Sequence, residues 1–197
     1  YFANLLEDND GVATTPTEAW AVLYLQDGDG NLSAGYTRSS LLTDTHSRVL
    51  DTKCEHPESI AADGTSVVAA CSFGSTWDIW KQHLAVRRTT GGSWTARVEV
   101  QGSTRPAPNS ASIAISGDLA VIGWTDYTTG GIWVARSTNG GTSFRRPVKL
   151  GTTSTLDIDP GSGRPRNGRV QVAVTGDRVY VAWLDGSSGS KATKRWP

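Results

Sequence analysis

The feature that most constrains this chain of 197 residues is an internal repeat. Three segments align: Ser59-Ile60-Ala61-Ala62-Asp63-Gly64 with its continuation Ser66 to Cys71, Ser112 to Asp118 with Leu119 to Trp124, and Val170 to Asp177 with Val179 to Trp183. Each reads as a strand, a short glycine-containing turn and a second strand, which is the signature of a tight β-hairpin. The turn glycines stand at 64, 117 and 176, spaced by 53 and then 59 residues. Repetition at that spacing means that each unit buries its apolar surface against its neighbours, so the fold is set by stacking.

The similarity continues past each hairpin. Leu84-Ala85-Val86-Arg87-Arg88-Thr89 matches Ile132-Trp133-Val134-Ala135-Arg136-Ser137 as a third strand, and fourth strands are predicted over Thr95 to Val100 and Arg146 to Leu150. A weaker early copy runs Trp20 to Leu25, Leu32 to Ser39 and Arg48 to Leu50. Four antiparallel strands in a unit of about 50 residues make the blade of an all-β propeller. The apolar runs Val67-Val68-Ala69-Ala70 and Ala120-Val121-Ile122-Gly123 fit strands buried on both faces between blades. No sustained helical periodicity competes, so helix is expected to be minor. The whole chain, 1–197, reads as one propeller portion with approximate blades at 12–52, 56–101, 109–151 and 168–197, the last incomplete.

Ser137-Thr138-Asn139-Gly140-Gly141-Thr142-Ser143-Phe144 resembles the Asp box, the Ser-x-Asp-x-Gly-x-x-Trp/Phe turn of sialidase-like propellers. Asn139 stands where that family carries Asp, and Asn likewise folds onto backbone amides and tolerates left-handed geometry. Ser137, Asn139, Gly141 and Phe144 are the box positions; Thr89-Thr90-Gly91-Gly92-Ser93-Trp94 is an eroded copy one repeat earlier. The resemblance implies six blades, roughly 300 residues at this repeat length. This chain holds about three to four. Two closures remain: the chain belongs to a longer polypeptide, the expectation favoured by the repeat, or it associates with itself.

Propeller geometry places the Asp-box turns on the side of the first hairpin turns and leaves the other face to loops 26–31, 73–80, 125–131 and 184–191 and to connections 51–58, 101–110 and 151–169. On that loop face Trp77-Asp78-Ile79-Trp80 stands out. Two indoles flanking an acid form either a sugar platform, with Asp78 accepting hydroxyl protons, or a cover for the end of a blade core. Asp126-Tyr127 and Asp185 follow the second strand at equivalent positions, which suits either a loop-capping carboxylate or a ligand contact. The resemblance also implies three arginines for a substrate carboxylate, which suit the bidentate guanidinium fork, plus a Tyr/Glu pair and an Asp acid/base. Arg105, Arg166 and Arg169 lie in suitable connections, but no residue-by-residue match to that triad exists and the family's Arg-Ile-Pro stretch is absent. Arg38, Arg88 and Arg136 recur before the third turn, where blade packing or surface exposure explains them.

Cys54 and Cys71 are expected to pair. A two-residue turn at Asp63-Gly64 leaves them one diagonal step from direct opposition, Cys54 in the connection and Cys71 ending a second strand. Closing that loop stabilises by about 3 kcal/mol in the chain-entropy model and implies an oxidising, extracellular setting. Asp27-Gly28-Asp29-Gly30-Asn31 alternates oxygen ligands as calcium loops do, though Leu32 stands where an EF-hand has glycine. A plain hairpin turn accounts for it equally, and no other cofactor is implied. His46, His56 and His83 show no zinc spacing.

The formal net charge is zero, which argues against a nucleic-acid partner. No run of apolar residues is long enough to span a bilayer. The combined expectation is an extracellular, non-catalytic recognition or structural propeller contacting a glycan or another protein. An exo-glycosidase of sialidase type with part of its site elsewhere is the first alternative. A subunit of a surface filament, with blade edges paired between chains, is the second.

Overall fold

The computed structural model describes residues 2–5, 11–39, 48–74, 83–91, 93–100, 108–126, 129–153, 170–184 and 191–196. Strands and turns account for them, and no α-helix occurs among the described residues. The strands form four antiparallel sheets in chain order.

The first sheet contains β1 (Phe2–Leu5), β2 (Val12–Thr14), β3 (Ala19–Gln26), β4 (Leu32–Arg38) and β5 (Arg48–Asp51). Both β1 and β2 pair with β3, from Phe2↔Gln26 to Leu5↔Leu23 and from Val12↔Ala21 to Thr14↔Ala19. Together they are one interrupted inner strand. The second sheet runs β6 (Cys54–Asp63), β7 (Ser66–Phe73), β8 (His83–Thr89), β9 (Val98–Glu99). The third is β10 (Pro108–Ser116), β11 (Leu119–Asp126), β12 (Gly131–Ser137), β13 (Val148–Thr152). The fourth comprises β14 (Val170–Thr175), β15 (Arg178–Leu184) and β16 (Lys191–Trp196). The described strands have the arrangement of a β-propeller of about four blades.

Gly64, Gly117 and Gly176 turn the hairpins at φ of 56°, 55° and 59°. That left-handed region is nearly free of cost for glycine alone. The turns lock sheet to sheet as well: Gly117 N donates to Asp63 Oδ2 at 2.6 Å across the second and third sheets.

The core lies between sheets. Trp20, Val22 and Leu50 of the first sheet meet Ile60, Val67 and Ala69 of the second. Val68, Ala70 and Val86 meet Ile113, Ile122 and Trp124 of the third. Val121, Ile132 and Val134 meet Val170, Val179 and Val181 of the fourth. Burying each such aliphatic side chain contributes about 1.5–3 kcal/mol. Strands β7 and β11 are buried on both faces, as their unbroken apolar runs require.

Three local expectations need correction. The outer strand of the second sheet is only Val98–Glu99, because Thr95 is taken by β8: Arg87 Nε donates to its carbonyl at 2.8 Å and Arg88 N to its Oγ1 at 3.1 Å. In the third sheet the outer strand starts at Val148 and not Arg146, just after Pro147, which has no N–H to give a ladder. Cys54 opens strand β6 and does not sit in a connection. The β6–β7 turn is Gly64-Thr65, with Asp63 paired to Ser66. Register shifts between Cys54 and His56 and between Pro57 and Ser59 then bring Cys54 and Cys71 to a Cα separation of 5.7 Å, where they form a disulfide.

Candidate functional site

Two ends of the sheet stack differ in chemistry. At the turn end, Ser137 Oγ accepts from Asn139 N at 3.2 Å and Gly141 N at 2.8 Å, and donates to Asn139 Oδ1 at 2.7 Å. Asn139 Oδ1 also accepts from Ser143 N at 3.0 Å, while its Nδ2 donates to Ser143 Oγ at 2.9 Å. Gly140 and Gly141 take φ of 65° and 88°, and Gly140 N donates to Asp118 O at 2.8 Å in the adjacent hairpin turn. Phe144 is buried among residues of the second and third sheets. The turn is therefore saturated by its own side chains and pinned by one aromatic ring.

The shorter turn in the second sheet keeps that plan with fewer bonds. Thr95 N donates to Arg88 O as Arg145 N does to Arg136 O, both at 2.8 Å. Trp94 takes the place of Phe144, edge-on to Trp20 and Tyr36 of the first sheet. Two of the recurring arginines, Arg38 and Arg88, belong to this scheme. Arg38 Nη1 lies 3.5 Å from Gly91 O in the following sheet and 3.5 Å from Glu18 Oε2. Arg88 donates to Ser66 Oγ at 3.0 Å, and its guanidinium rests on Gly140, where a Cβ would sit 2.4 Å from Nη1. These are blade-packing groups.

The loop end carries a separate set of polar and ionisable groups. Phe73 and His83, a register pair at the ends of β7 and β8, hold their rings 5.2 Å apart. His83 Nδ1 lies 2.7 Å from Glu99 Oε1, and the Arg97 guanidinium sits 4.2 Å over the Phe73 ring. Arg97 and Arg87 both reach Asp51 of the first sheet, at 3.6 and 3.7 Å. The result is a braced stem for the loop that contains Trp77, Asp78 and Trp80. Those three residues lie outside the described residues, as do Arg105, Tyr127, Arg166, Arg169, Asp185 and His46.

Two acids at this end are buried and hydrogen-bonded within the protein. Asp126 is only 2% exposed, and its carboxylate accepts from Thr129 N at 3.0 Å and from the Thr129 hydroxyl. It caps its own loop. Glu58, which the sequence pattern does not single out, is buried where β6 meets β10; its oxygens accept from Ser72 Oγ at 2.9 Å and Ala111 N at 3.3 Å. The stem residues Phe73, His83 and Glu99 were also unmarked in sequence, although pairing β7 with β8 outward from the hairpin predicts their proximity.

Asp27, Asp29 and Asn31 form a closed turn. Asp27 Oδ1 accepts from Asp29 N at 3.0 Å and Asn31 N at 2.8 Å, and Oδ2 accepts from Asn31 Nδ2 at 2.9 Å. These donors, the Asn31 side chain foremost, hold the Asp27 carboxyl below its ordinary range. Among the described residues no three His, Cys, Asp or Glu side chains gather as a metal site, and no helix is long and apolar enough to cross a membrane.

No family model matches this sequence, and no curated protein matches it. Solved structures do resemble the fold. The phage phi92 endosialidase superposes with a TM-score of 0.58 at 11% identity, over 87% of this chain and 30% of its own. A subtype N10 neuraminidase-like protein of A/little yellow-shouldered bat/Guatemala gives a TM-score of 0.55 at 11% identity, over 97% and 59%. The xylan beta-1,4-xylosidase of Bacillus halodurans C-125 gives 0.50 at 11%, over 96% and 40%. This chain thus spans less than two thirds of the length of each. At such identities the likeness establishes the propeller fold alone.

Proposed function

We propose that this chain is a portion of an extracellular glycan-contacting propeller that binds its ligand through the loop end. The carrying observation is the braced stem of Phe73, His83, Glu99 and Arg97 beneath the segment with Trp77, Asp78 and Trp80. Packed and hydrogen-bonded strand ends fix the points at which that segment leaves and rejoins the sheet, and fixed anchor points lower the ordering cost of binding. Sugar C–H faces stack on indole rings while an acid such as Asp78 accepts hydroxyl protons. The Cys54–Cys71 disulfide at the same end suits an oxidising compartment. The fold shared with glycan-processing propellers supports the ligand class. The turn at Ser137 to Phe144 supports a relation to the Asp-box propellers, with Asn139 serving as the acid does there.

We favour binding without cleavage: glycoside hydrolysis needs two carboxyls facing one bond, and the described loop-end acids Asp126 and Glu58 each accept internal hydrogen bonds. A glycan array screened with the folded chain, followed by titration of the best ligand, tests the proposal. Trp77→Ala and Trp80→Ala are each expected to weaken binding at least tenfold, about 1.4 kcal/mol. Unchanged affinity in both would sink it. The second reading is an exo-glycosidase of sialidase type, with Arg105, Arg166 and Arg169 as carboxylate ligands; the glycosidases among the similar structures support glycoside chemistry in general. Turnover of a fluorogenic glycoside that is lost in Arg166→Ala would establish that reading in place of the first.

A further inference from the structure

The turn between β12 and β13 contains a linkage with its own chemistry. Asn139 is followed directly by Gly140. In an Asn-Gly pair the glycine nitrogen, unhindered by a Cβ, attacks the asparagine side chain once its proton is lost. A bond forms from Gly140 N to Asn139 Cγ, the bond from Cγ to Nδ2 breaks, and the amide nitrogen leaves as ammonia. The product is a five-membered succinimide. Water then opens the ring at either carbonyl, giving aspartate or isoaspartate, in which the main chain runs through the former side chain. The sequence of steps consumes only water.

The fold fixes both residues of the pair. Asn139 closes the turn onto Ser137 and Ser143. Gly140 takes φ of 65°, in the left-handed region, and a Cβ there would overlap the Arg88 guanidinium. A larger residue, whose bulk would slow the attack, is therefore disfavoured on two grounds.

The closed turn already meets part of the reaction's needs. Asn139 Oδ1 accepts from Ser137 Oγ at 2.7 Å and from Ser143 N at 3.0 Å, donors that would stabilise negative charge on that oxygen during attack. The nucleophile is what the fold withholds. Gly140 is buried, its N donates to Asp118 O at 2.8 Å, and the Arg88 guanidinium of the second sheet rests over it. Base reaches that N–H only when the turn lifts.

We infer that Asn139–Gly140 is a site of spontaneous deamidation, held closed by the docking of its turn on Asp118 and Arg88. The two products have different consequences. Aspartate keeps acceptors for Ser137 Oγ and Ser143 N, so it writes the acid of the box pattern into the turn. Isoaspartate lengthens the main chain by one carbon inside a turn whose bonds join residues 137 to 143, and unseats it. The site lies at the turn end and stands whether or not the loop end binds glycan.

Peptide mapping by mass spectrometry tests it, after parallel incubation of the disulfide-intact chain in buffer and in guanidinium chloride at one mildly alkaline pH. Asn167–Gly168, the chain's other linkage of this type, lies outside the described residues and serves in denaturant as the rate reference. In denaturant Asn139 is expected to convert at a rate like that of Asn167, to both aspartate and isoaspartate. In buffer it is expected to convert at least about tenfold more slowly, the factor set by an opening free energy of about 1.4 kcal/mol. Arg88→Ala uncovers Gly140 and is expected to speed conversion in buffer by about threefold or more, with the circular dichroism spectrum kept. Equal rates in buffer and denaturant for the parent chain would overturn the shielding. An Asn139 that stays intact in denaturant while Asn167 converts would overturn the site itself. A folded Arg88→Ala chain that converts no faster than the parent would overturn the role given to Arg88.

Discussion

Asn139 offers the sharpest test of how the third turn is held. Its side chain takes part in three hydrogen bonds, accepting from Ser137 Oγ and Ser143 N and donating to Ser143 Oγ. In Asn139→Ala all three are lost. Each is worth about 0.5–1.5 kcal/mol net, but Ser143 is exposed and water replaces its partners. Ser137 is buried and keeps its bonds to the amides of residues 139 and 141, so only its proton is stranded. The expected loss is about 1–2 kcal/mol, the range of a removed helix cap. Asn139→Asp should cost little. A carboxylate accepts from Ser137 Oγ and Ser143 N as the amide oxygen does, and the Ser143 hydroxyl reverses to become a donor. Equilibrium urea unfolding followed by tryptophan fluorescence reads both variants. With a slope of about 2 kcal/mol/M, the alanine variant shifts the midpoint down by roughly 0.5–1 M, and the aspartate variant stays near the parent. An alanine midpoint equal to the parent's, or an aspartate variant as weak as alanine, would refute the saturated-turn account.

Two further outcomes follow from packing and charge. Gly123→Ala is expected to destabilise by about 1–3 kcal/mol through overpacking against β-branched Val170 and Val172, and the added Val172→Ala should make the alanine at 123 less costly; a strictly additive pair by urea unfolding would contradict that contact. The Asp27 carboxyl is held below its ordinary range by Asn31 and the turn amides. A depressed pKa contributes stability that is present above the unfolded value and fades as pH falls through the folded one. Asp27→Asn is therefore expected to flatten the acid limb of the stability–pH curve, and an unchanged limb in titrated thermal melts would rule the turn out as a contributor.

Much of the fold was legible because the repeat carries its own alignment. The hairpin glycines at 64, 117 and 176 are where the backbone turns left-handed, and the third strands fall on Leu84 to Thr89 and Ile132 to Ser137 as the pattern indicates. Outer strands were harder to read. They pack on one side only, so their limits were set by Pro147 and by Arg87 reaching for Thr95 and not by apolar pattern. Strand β1 escaped notice because the inner strand of the first sheet is interrupted, and pattern reading expects continuity. Pairing of the cysteines was foreseen for a register that the molecule reaches only through two irregularities, which no periodicity encodes. At the loop end, Asp126 shows how a carboxylate of ligand type can be a cap: the sequence gives its position, and only burial beside Thr129 gives its role. Glu58 went unmarked because its partners, Ser72 and Ala111, come from two different sheets.

The sheets take their strands from consecutive stretches of chain, and each core cluster joins only neighbours. Such a molecule behaves as a short one-dimensional array. The described core clusters hold the second and third sheets from both sides, so these sheets are expected to open last. Amide exchange should be slowest in β7 and β11, which are buried on both faces. An array of this kind also tolerates change unevenly: a substitution in the middle is felt by two interfaces, and one at a flank by a single interface, which leaves the flanks as the places where sequence can drift or acquire a new partner at least cost.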